Sequence, residues 1–510
     1  ASAQAASREL VLLLGDVESR PAVLAMRSLQ TTLKDQDIKV RIIAANSMSQ
    51  KDRAALAKAD VAVISVVGRQ LVQRILPELD TLQRNKRTVI AVGSGVDDEL
   101  RELGLREEKA VQKYYRAGGI ENMTNMLRYV LRTQLGVAVT EAPVQPMPEI
   151  GLYDVAADRT YSDFDQYAKK YTHYRPGAPW VGVMFFRASL VAGQTLPLAA
   201  IVARLEKSGY NVMPVFGYPY EVPLQYFLND AGKSRVELIV ALGMKVGGTA
   251  ATSGMLDKIG VPAINAITLS QQSAEQWKES KTGLNITERS WQLAGAELAG
   301  LIQPTVVASR ERITDVQTEL AYIEEQPIAE RIDRLAERVD AWLALRKNAN
   351  SSKRIAMLYY NYPHGSETIG ASYLNVLPES LWQILQRLNK DGYRTDDASS
   401  RLPADKQALQ EDIQMWGNYP SKGSKDYRAG LAQLAASGQA LLVPLSDYMK
   451  WYEQFPAELK SSIEKAWGAP QKASTLWRDA NGRDQFVFPA RRYGNLLMAP
   501  QPGRAWEQNL

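Results

Sequence analysis

Only two histidines occur in 510 residues, and one of them stands in a loop with other groups that could do chemistry. The loop reads Asn361-Tyr362-Pro363-His364-Gly365-Ser366-Glu367-Thr368-Ile369-Gly370. A neutral imidazole can ligate a metal ion or carry protons. Tyr362 and Glu367 are near enough in sequence to orient it, so His364 is the candidate metal ligand and His364 with Glu367 the candidate catalytic pair. The competing reading is a loop histidine bonded to backbone. His173, between Tyr171 and Tyr174, reads as surface loop, and a clamp of both histidines across domains is the more demanding alternative. Arg175, Arg187 and Arg492 carry the planar fork that suits carboxylates, although each also suits an ordinary salt bridge. Glu221, closing Phe216-Gly217-Tyr218-Pro219-Tyr220-Glu221, is a weaker candidate for proton handling.

These residues need elements to hold them. Ile355 to Tyr359 is an apolar run that reads as a buried parallel strand. Pro378-Glu379-Ser380 opens a helix whose Leu381, Ile384, Leu385 and Leu388 fall on one face, and Asp391-Gly392 stops it. The His364 loop thus crests a strand–loop–helix unit, and ligands of open α/β sheets sit at the carboxyl ends of strands. The same alternation runs from the start of the chain. Strands are expected at 9–15, 40–44, 61–67 and 88–92, with helices from Pro21 to about Lys34 and from Lys113 to Leu135. The prolines of Thr140-Glu141-Ala142-Pro143-Val144-Gln145-Pro146-Met147-Pro148 mark a loose linker. The stretch 151–170 reads as surface. A second α/β series follows, with strands at 181–186, 211–216, 236–242 and 262–269 and a helix from Ile328 to Lys347. Beyond residue 393 a hairpin is expected across Asn481-Gly482. Gly15-Asp16, Gly93-Ser94-Gly95 and Gly247-Gly248 read as strand-end turns.

The fold class is therefore α/β, with several open parallel-sheet domains of flavodoxin-like or periplasmic-binding-like type. The expected division is a domain at 1–140, a linker and surface segment at 141–178, a second domain at 179–347, and the start of an incomplete third at 348–510.

Composition narrows the function. Hydrophobic residues make up 45% and charged residues 23%, which is globular. The net charge of +5 is spread thinly, so nucleic acid is not implied. Zero cysteines exclude disulfides and thiolate chemistry, and two histidines exclude a multi-histidine metal site within the chain. No apolar run of about twenty residues is present to span a membrane as a helix. Neither a Gly-x-x-x-x-Gly-Lys-Ser/Thr phosphate loop nor a Gly-x-Ser-x-Gly nucleophile elbow occurs.

Several motifs in one order carry a resemblance. They are Tyr171-Thr172-His173-Tyr174-Arg175-Pro176-Gly177, Gly209-Tyr210-Asn211-Val212-Met213-Pro214-Val215-Phe216, Asn361-Tyr362-Pro363, Leu377-Pro378-Glu379-Ser380-Leu381 and Gly392-Tyr393. From about residue 172 the chain resembles the large subunit of cobalt and magnesium chelatases, the CobN/magnesium-chelatase H family. The resemblance implies a tetrapyrrole (porphyrin, haem or corrin) and a divalent metal (cobalt, magnesium or iron), with ATP used only through ATPase partner subunits. It implies that His364 meets the metal or the pyrrole protons. Tyr362, Arg175, Arg187, Tyr218 and Arg492 would then contact the ring and its carboxylates, and Tyr220, Trp451, Tyr452 and Trp467 could stack on it. Family members run past a thousand residues and carry a His-x-Gly-x-His-Gly segment that is not found here. The expectation is an amino-terminal part of such a subunit, inactive alone, whose partner is the remaining carboxyl-terminal part. Two alternatives stand beside it: a periplasmic haem- or corrin-binding, metal-removing relative, and a plain periplasmic-type binding protein. The small residues Ala1-Ser2-Ala3-Gln4-Ala5-Ala6-Ser7 resemble the tail of a signal peptide and favour the periplasm over the cytoplasm.

Overall fold

A computed structural model describes residues 8–66, 69–244, 250–359, 377–397, 401–416, 426–438 and 440–501. The chain divides into two compact units, Ala1–Leu343 and Ala344–Leu510.

Among the described residues the first unit contains two sheets. In one, β1 (Arg8–Leu14), β2 (Ile38–Ala44), β3 (Val61–Ser65), β4 (Thr88–Val92) and β5 (Leu105–Glu107) are all parallel, in the order β2-β1-β3-β4-β5. The apolar run of β1 is continuous because both its faces are covered. Leu10, Leu12 and Leu14 pack under the Asp16–Arg27 and Gly119–Leu135 helices, while Val11 and Leu13 pack against Leu56, Leu79 and Leu82 on the opposite side.

The other sheet holds β6 (Gly151–Asp154), β7 (Arg159–Tyr161), β8 (Trp180–Phe185), β9 (Asn211–Phe216), β10 (Leu238–Leu242), β11 (Ala263–Thr268), β12 (Ile302–Thr314) and β13 (Ala321–Pro327). Its order is β13-β12-β11-β10-β8-β9-β6-β7. The five strands β9-β8-β10-β11-β12 are parallel and repeat the order of the first sheet. Antiparallel strands extend both edges. Val181, Val183 and Phe185 are buried beneath Leu198, Ile201 and Leu205 and beneath Ile332, Leu335 and Val339 of the Ala329–Lys347 helix.

Several expectations are corrected. The first helix starts at Asp16, a turn and more before Pro21, which lies inside it. Asp16 and Glu18 in its first turn complement the positive end of the helix dipole. The long helix expected at 113–135 is two, Lys109–Ala117 and Gly119–Leu135, broken where Gly118 and Gly119 adopt φ of 68° and 82°. The stretch 151–170 is not all surface, since β6 is buried throughout and Tyr153, Tyr161 and Tyr167 lie in the core. The hairpin β12–β13 is not among the expected strands. Across its strands Arg310 stands opposite Glu325, while Glu311 faces Glu324.

That hairpin also ties the two sheets together. Arg27 Nε donates to Asp315 at 2.9 Å and Arg20 Nε to Glu324 at 2.8 Å. The linker, too, differs from a loose joint. Asn122 bonds both the amide and the carbonyl of Gln145, at 2.9 and 2.8 Å, and Asn125 accepts from the Ala142 amide at 2.9 Å. Val139 and Val144 pack on the core of the first sheet.

Among the described residues the second unit contains two three-stranded sheets. β14 (Ile355–Tyr359), β15 (Leu441–Pro444), β16 (Leu476–Arg478), β17 (Asp484–Phe488), β18 (Arg491–Tyr493) and β19 (Leu496–Pro500) form the orders β14-β19-β18 and β15-β17-β16. The hairpin at Asn481-Gly482 is present, with Gly482 at φ 76° and the Asp479 carboxylate accepting from the amides of Asn481 and Arg483. β14 is parallel to β19, as expected of a βα unit, but it is an edge strand and not a buried one, and Leu358 is 66% exposed. On the Leu377–Lys390 helix, Leu381 and Leu385 are buried while Ile384 is exposed.

Candidate functional site

His364, Tyr362 and Glu367 lie outside the described residues, as do Gly247 and Gly248. The root of the His364 loop is described. It leaves the carboxyl end of β14 at Tyr359, whose carbonyl accepts from the Gln501 amide at 2.8 Å. The Tyr359 ring is buried with Leu381, Leu385 and Met498, and burial raises its phenol well above the ordinary value. Arg492 is exposed on β18, opposite Leu497. Trp451 and Trp467 are exposed. Tyr452 is buried, its hydroxyl donating to Glu464 at 2.9 Å.

The first-unit candidates separate into structural and open groups. Arg187 donates to the carbonyls of Pro148 and Met147 at 2.8 and 3.0 Å and lies 3.4 Å from the Glu149 carboxylate. It clamps the end of the linker. Arg175 has an exposed side chain, while its backbone is held in both directions by Asn211 at 2.8 Å. Tyr218 is 76% exposed and meets Tyr220 edge-on at 5.6 Å. Tyr220 is buried against Phe186, with ring centres 5.8 Å apart. His173 Nδ1 lies 2.7 Å from the Glu206 carboxylate, which also accepts from the Tyr171 hydroxyl. Burial, followed by that bond, pushes the Tyr171 phenol well up. Glu206 is a partner that sequence separation hid. Glu221 lies 3.5 Å from the Thr252 hydroxyl.

One concave site is built by the second sheet. In the order β9-β8-β10-β11-β12 the connections reverse direction between β8 and β10, the kind of switch point at which open sheets hold ligands. A cavity of about 240 Å³ lies there. Phe185 and Phe186 at the end of β8, Leu198, and Leu242 at the end of β10 form its apolar wall. Gly243 follows β10 at φ 65°, and a side chain there would come 3.5 Å from the Thr268 hydroxyl. Ser189, Gln194, Thr268, Ser270, Arg310 and Glu325 supply the polar lining.

The polar groups have different occupations. Gln194 is structural, donating to the Ile323 carbonyl at 2.7 Å and accepting from the Glu325 amide at 2.8 Å. Ser270 is held by Glu288. Arg310 donates to Glu325 at 3.3 Å, and its Nε is buried with no partner among the described residues. A second line of polar groups reaches Arg310 from the first sheet. Ser65 ends β3, and its hydroxyl lies 3.1 Å from that of Tyr115, which donates to Glu18 at 3.5 Å. Burial raises the Glu18 carboxyl above its ordinary value, against the pull of its own backbone bond, of Tyr115 and of the Arg310 charge. Burial likewise pushes up the Tyr115 phenol. Glu18, Thr268, Arg310 and Glu325 were not singled out from the sequence, and the available signal was the glycine that ends β10. Among the described residues no group of three or more His, Cys, Asp or Glu side chains could hold a metal ion, and no helix is long and apolar enough to cross a membrane.

The family model for CobN/Magnesium Chelatase matches residues 112–510. The chain belongs to the CobN/magnesium chelatase family. Within that family it is 26% identical over 423 residues to the chloroplastic magnesium-chelatase subunit ChlH of Oryza sativa subsp. indica, covering 78% of this chain and 28% of that protein. It is 24% identical over 402 residues to the aerobic cobaltochelatase subunit CobN of Sinorhizobium sp, covering 77% of this chain and 30% of that protein. The catalytic subunit of cobaltochelatase from Mycobacterium tuberculosis shares the fold, with a TM-score of 0.60 at 21% identity over 99% of this chain and 39% of that one. The chain thus spans about a third of the length of these CobN/magnesium chelatase relatives.

Proposed function

We propose that the chain contributes one wall of the tetrapyrrole cleft in the large subunit of a metal chelatase. The observation that carries this reading is the family match over residues 112–510, which takes in the β14 unit from which the His364 loop departs. The substrates would be a porphyrin, haem or corrin ring and a divalent cobalt, magnesium or iron ion. His364 would ligate the metal or take the pyrrole protons, with Tyr362 and Glu367 orienting the imidazole. Arg492, in the same unit as the His364 loop, is the proposed contact to the carboxylates of the ring. ATP would be used by partner subunits, since the sequence has no phosphate loop. Chemistry would also call on the rest of the large-subunit polypeptide, so the purified chain should neither hydrolyse ATP nor insert metal above the solution rate.

A titration with haem and with metal-free porphyrin, followed by Soret absorbance, tests the cleft. The expected result is a saturable shift for both pigments, with His364→Ala weakening haem more than the metal-free ring. Equal loss for both would leave the cleft standing and overturn axial ligation by His364. No binding of either pigment, or unchanged binding in the variant, would overturn the site.

A further inference from the structure

We propose that the cavity at the β8/β10 switch point is a binding site for a small, uncharged polyhydroxylated ligand, separate from any tetrapyrrole cleft. Size comes first. Its volume of about 240 Å³ is below the roughly 300–1,000 Å³ of pockets that enclose drug-sized ligands, so it does not enclose a macrocycle.

Charge decides the class of ligand. Arg310 and Glu325 stand side by side as a strong donor and a strong acceptor, 3.3 Å apart. An anion entering here would meet Arg310 but also the Glu325 carboxylate, and a cation would meet Glu325 but also the guanidinium. A neutral ligand with hydroxyls can donate to Glu325 and accept from Arg310 without either conflict. The hydroxyls of Ser189 and Thr268 line the same space and have no hydrogen-bond partner among the described residues, so they can turn to donate or accept. Phe186 gives an apolar wall for the carbon face of a ring, backed by Tyr220. Gln194 and Ser270, whose polar atoms are already engaged, fix the walls.

Isothermal titration of the full chain tests this with glucose, ribose and myo-inositol as probes and with succinate and putrescine as charged comparators. The expected result is saturable binding of at least one polyol and none of either comparator. Thr268→Val, which keeps the side-chain shape, and Arg310→Met should each weaken that binding about tenfold or more, the loss of a hydrogen bond to the ligand. If Arg310→Met unfolds, the near-isosteric Thr268→Val alone decides. No heat with any polyol, tighter binding of succinate or putrescine, or unchanged affinity in folded Thr268→Val would overturn the proposal. The Soret response to porphyrins is read separately, so failure here leaves the tetrapyrrole reading as it was.

Discussion

The five-stranded parallel cores of the two sheets of the first unit have the same strand order and opposite treatments of their carboxyl edges. In the first sheet the edge is filled by its own side chains. Gln112 bonds both the amide and the carbonyl of Gly93 after β4, at 3.0 and 2.7 Å. The Asp16 carboxylate after β1 takes the amide and side chain of Asn46 at 3.3 and 2.9 Å. Ser65, the last residue of β3, is engaged with Tyr115. In the second sheet the ends of β8, β10 and β11 surround a cavity, and Thr268 is left facing it. Topology makes a place where a ligand could sit, and the side chains from neighbouring helices and hairpins decide whether that place is plugged or open.

The comparison breaks most forcefully if the two sheets are not one folding unit. Leu12, in β1, and Leu238, in β10, are both fully buried. Truncating either to alanine should cost about 2–5 kcal/mol. Calorimetry is expected to show one lowered transition for the first unit in each variant. A split into two transitions, each moved by only one of the substitutions, would show that the sheets unfold independently.

The tie between the sheets should come next. Asp315 is fully buried, accepts from Arg27, and also takes the Thr318 amide and hydroxyl at 2.7 and 2.8 Å. Its bond to Arg27, opposed by burial, holds its carboxyl down at about 2. Because the folded value lies below the ordinary 3.8, the stabilisation is present above about pH 4 and is lost as pH falls toward 2. Asp315→Asn should cost about 1.5–3 kcal/mol at neutral pH, the worth of a hydrogen bond to a charged group. It should also flatten the acid limb of the stability profile, and an unchanged limb would remove Asp315 from that role.

A smaller effect is expected at the linker. Arg187→Met frees the carbonyls of Met147 and Pro148 from their clamp. We expect a loss of about 1–2 kcal/mol and faster proteolytic cutting between residues 140 and 150 than in the parent. Parent protein cut there first, at the same rate as the variant, would restore the loose joint that the prolines suggested. The smallest effect serves as the control: Arg84→Ala removes an i,i+4 pair with Asp80 in which both side chains are largely exposed, and should leave the melting temperature unchanged.

Much of this was legible in residue types alone. Runs such as Leu10–Leu14, Val61–Ile64 and Leu238–Leu242 are apolar on both faces, and only a strand covered on both sides tolerates that. The Asn481-Gly482 turn announced its hairpin because type and spacing select the backbone locally. The motifs around Tyr174-Arg175-Pro176, Tyr362-Pro363 and Leu377-Pro378-Glu379 carried the family. Local chemistry was misleading where tertiary partners overrode it. The prolines of 140–150 read as a free joint, while Asn122 and Asn125 hold that segment from a helix in the preceding lobe.

By itself, then, the sequence determined the α/β class, most of the parallel strands of the first unit and the family, since these follow from hydrophobic period, turn chemistry and ordered motifs within short stretches. Only the tertiary structure decided which strand ends stay open. Glu18, Thr268, Arg310 and Glu325 come from four separate elements, and nothing near each in sequence signals the others. Their meeting depends on the β12–β13 hairpin crossing to the Asp16–Arg27 helix. The pairing of Arg310 with Glu325 across the strands, and of Arg20 with Glu324 and Arg27 with Asp315 between the sheets, makes the burial of these charges tolerable.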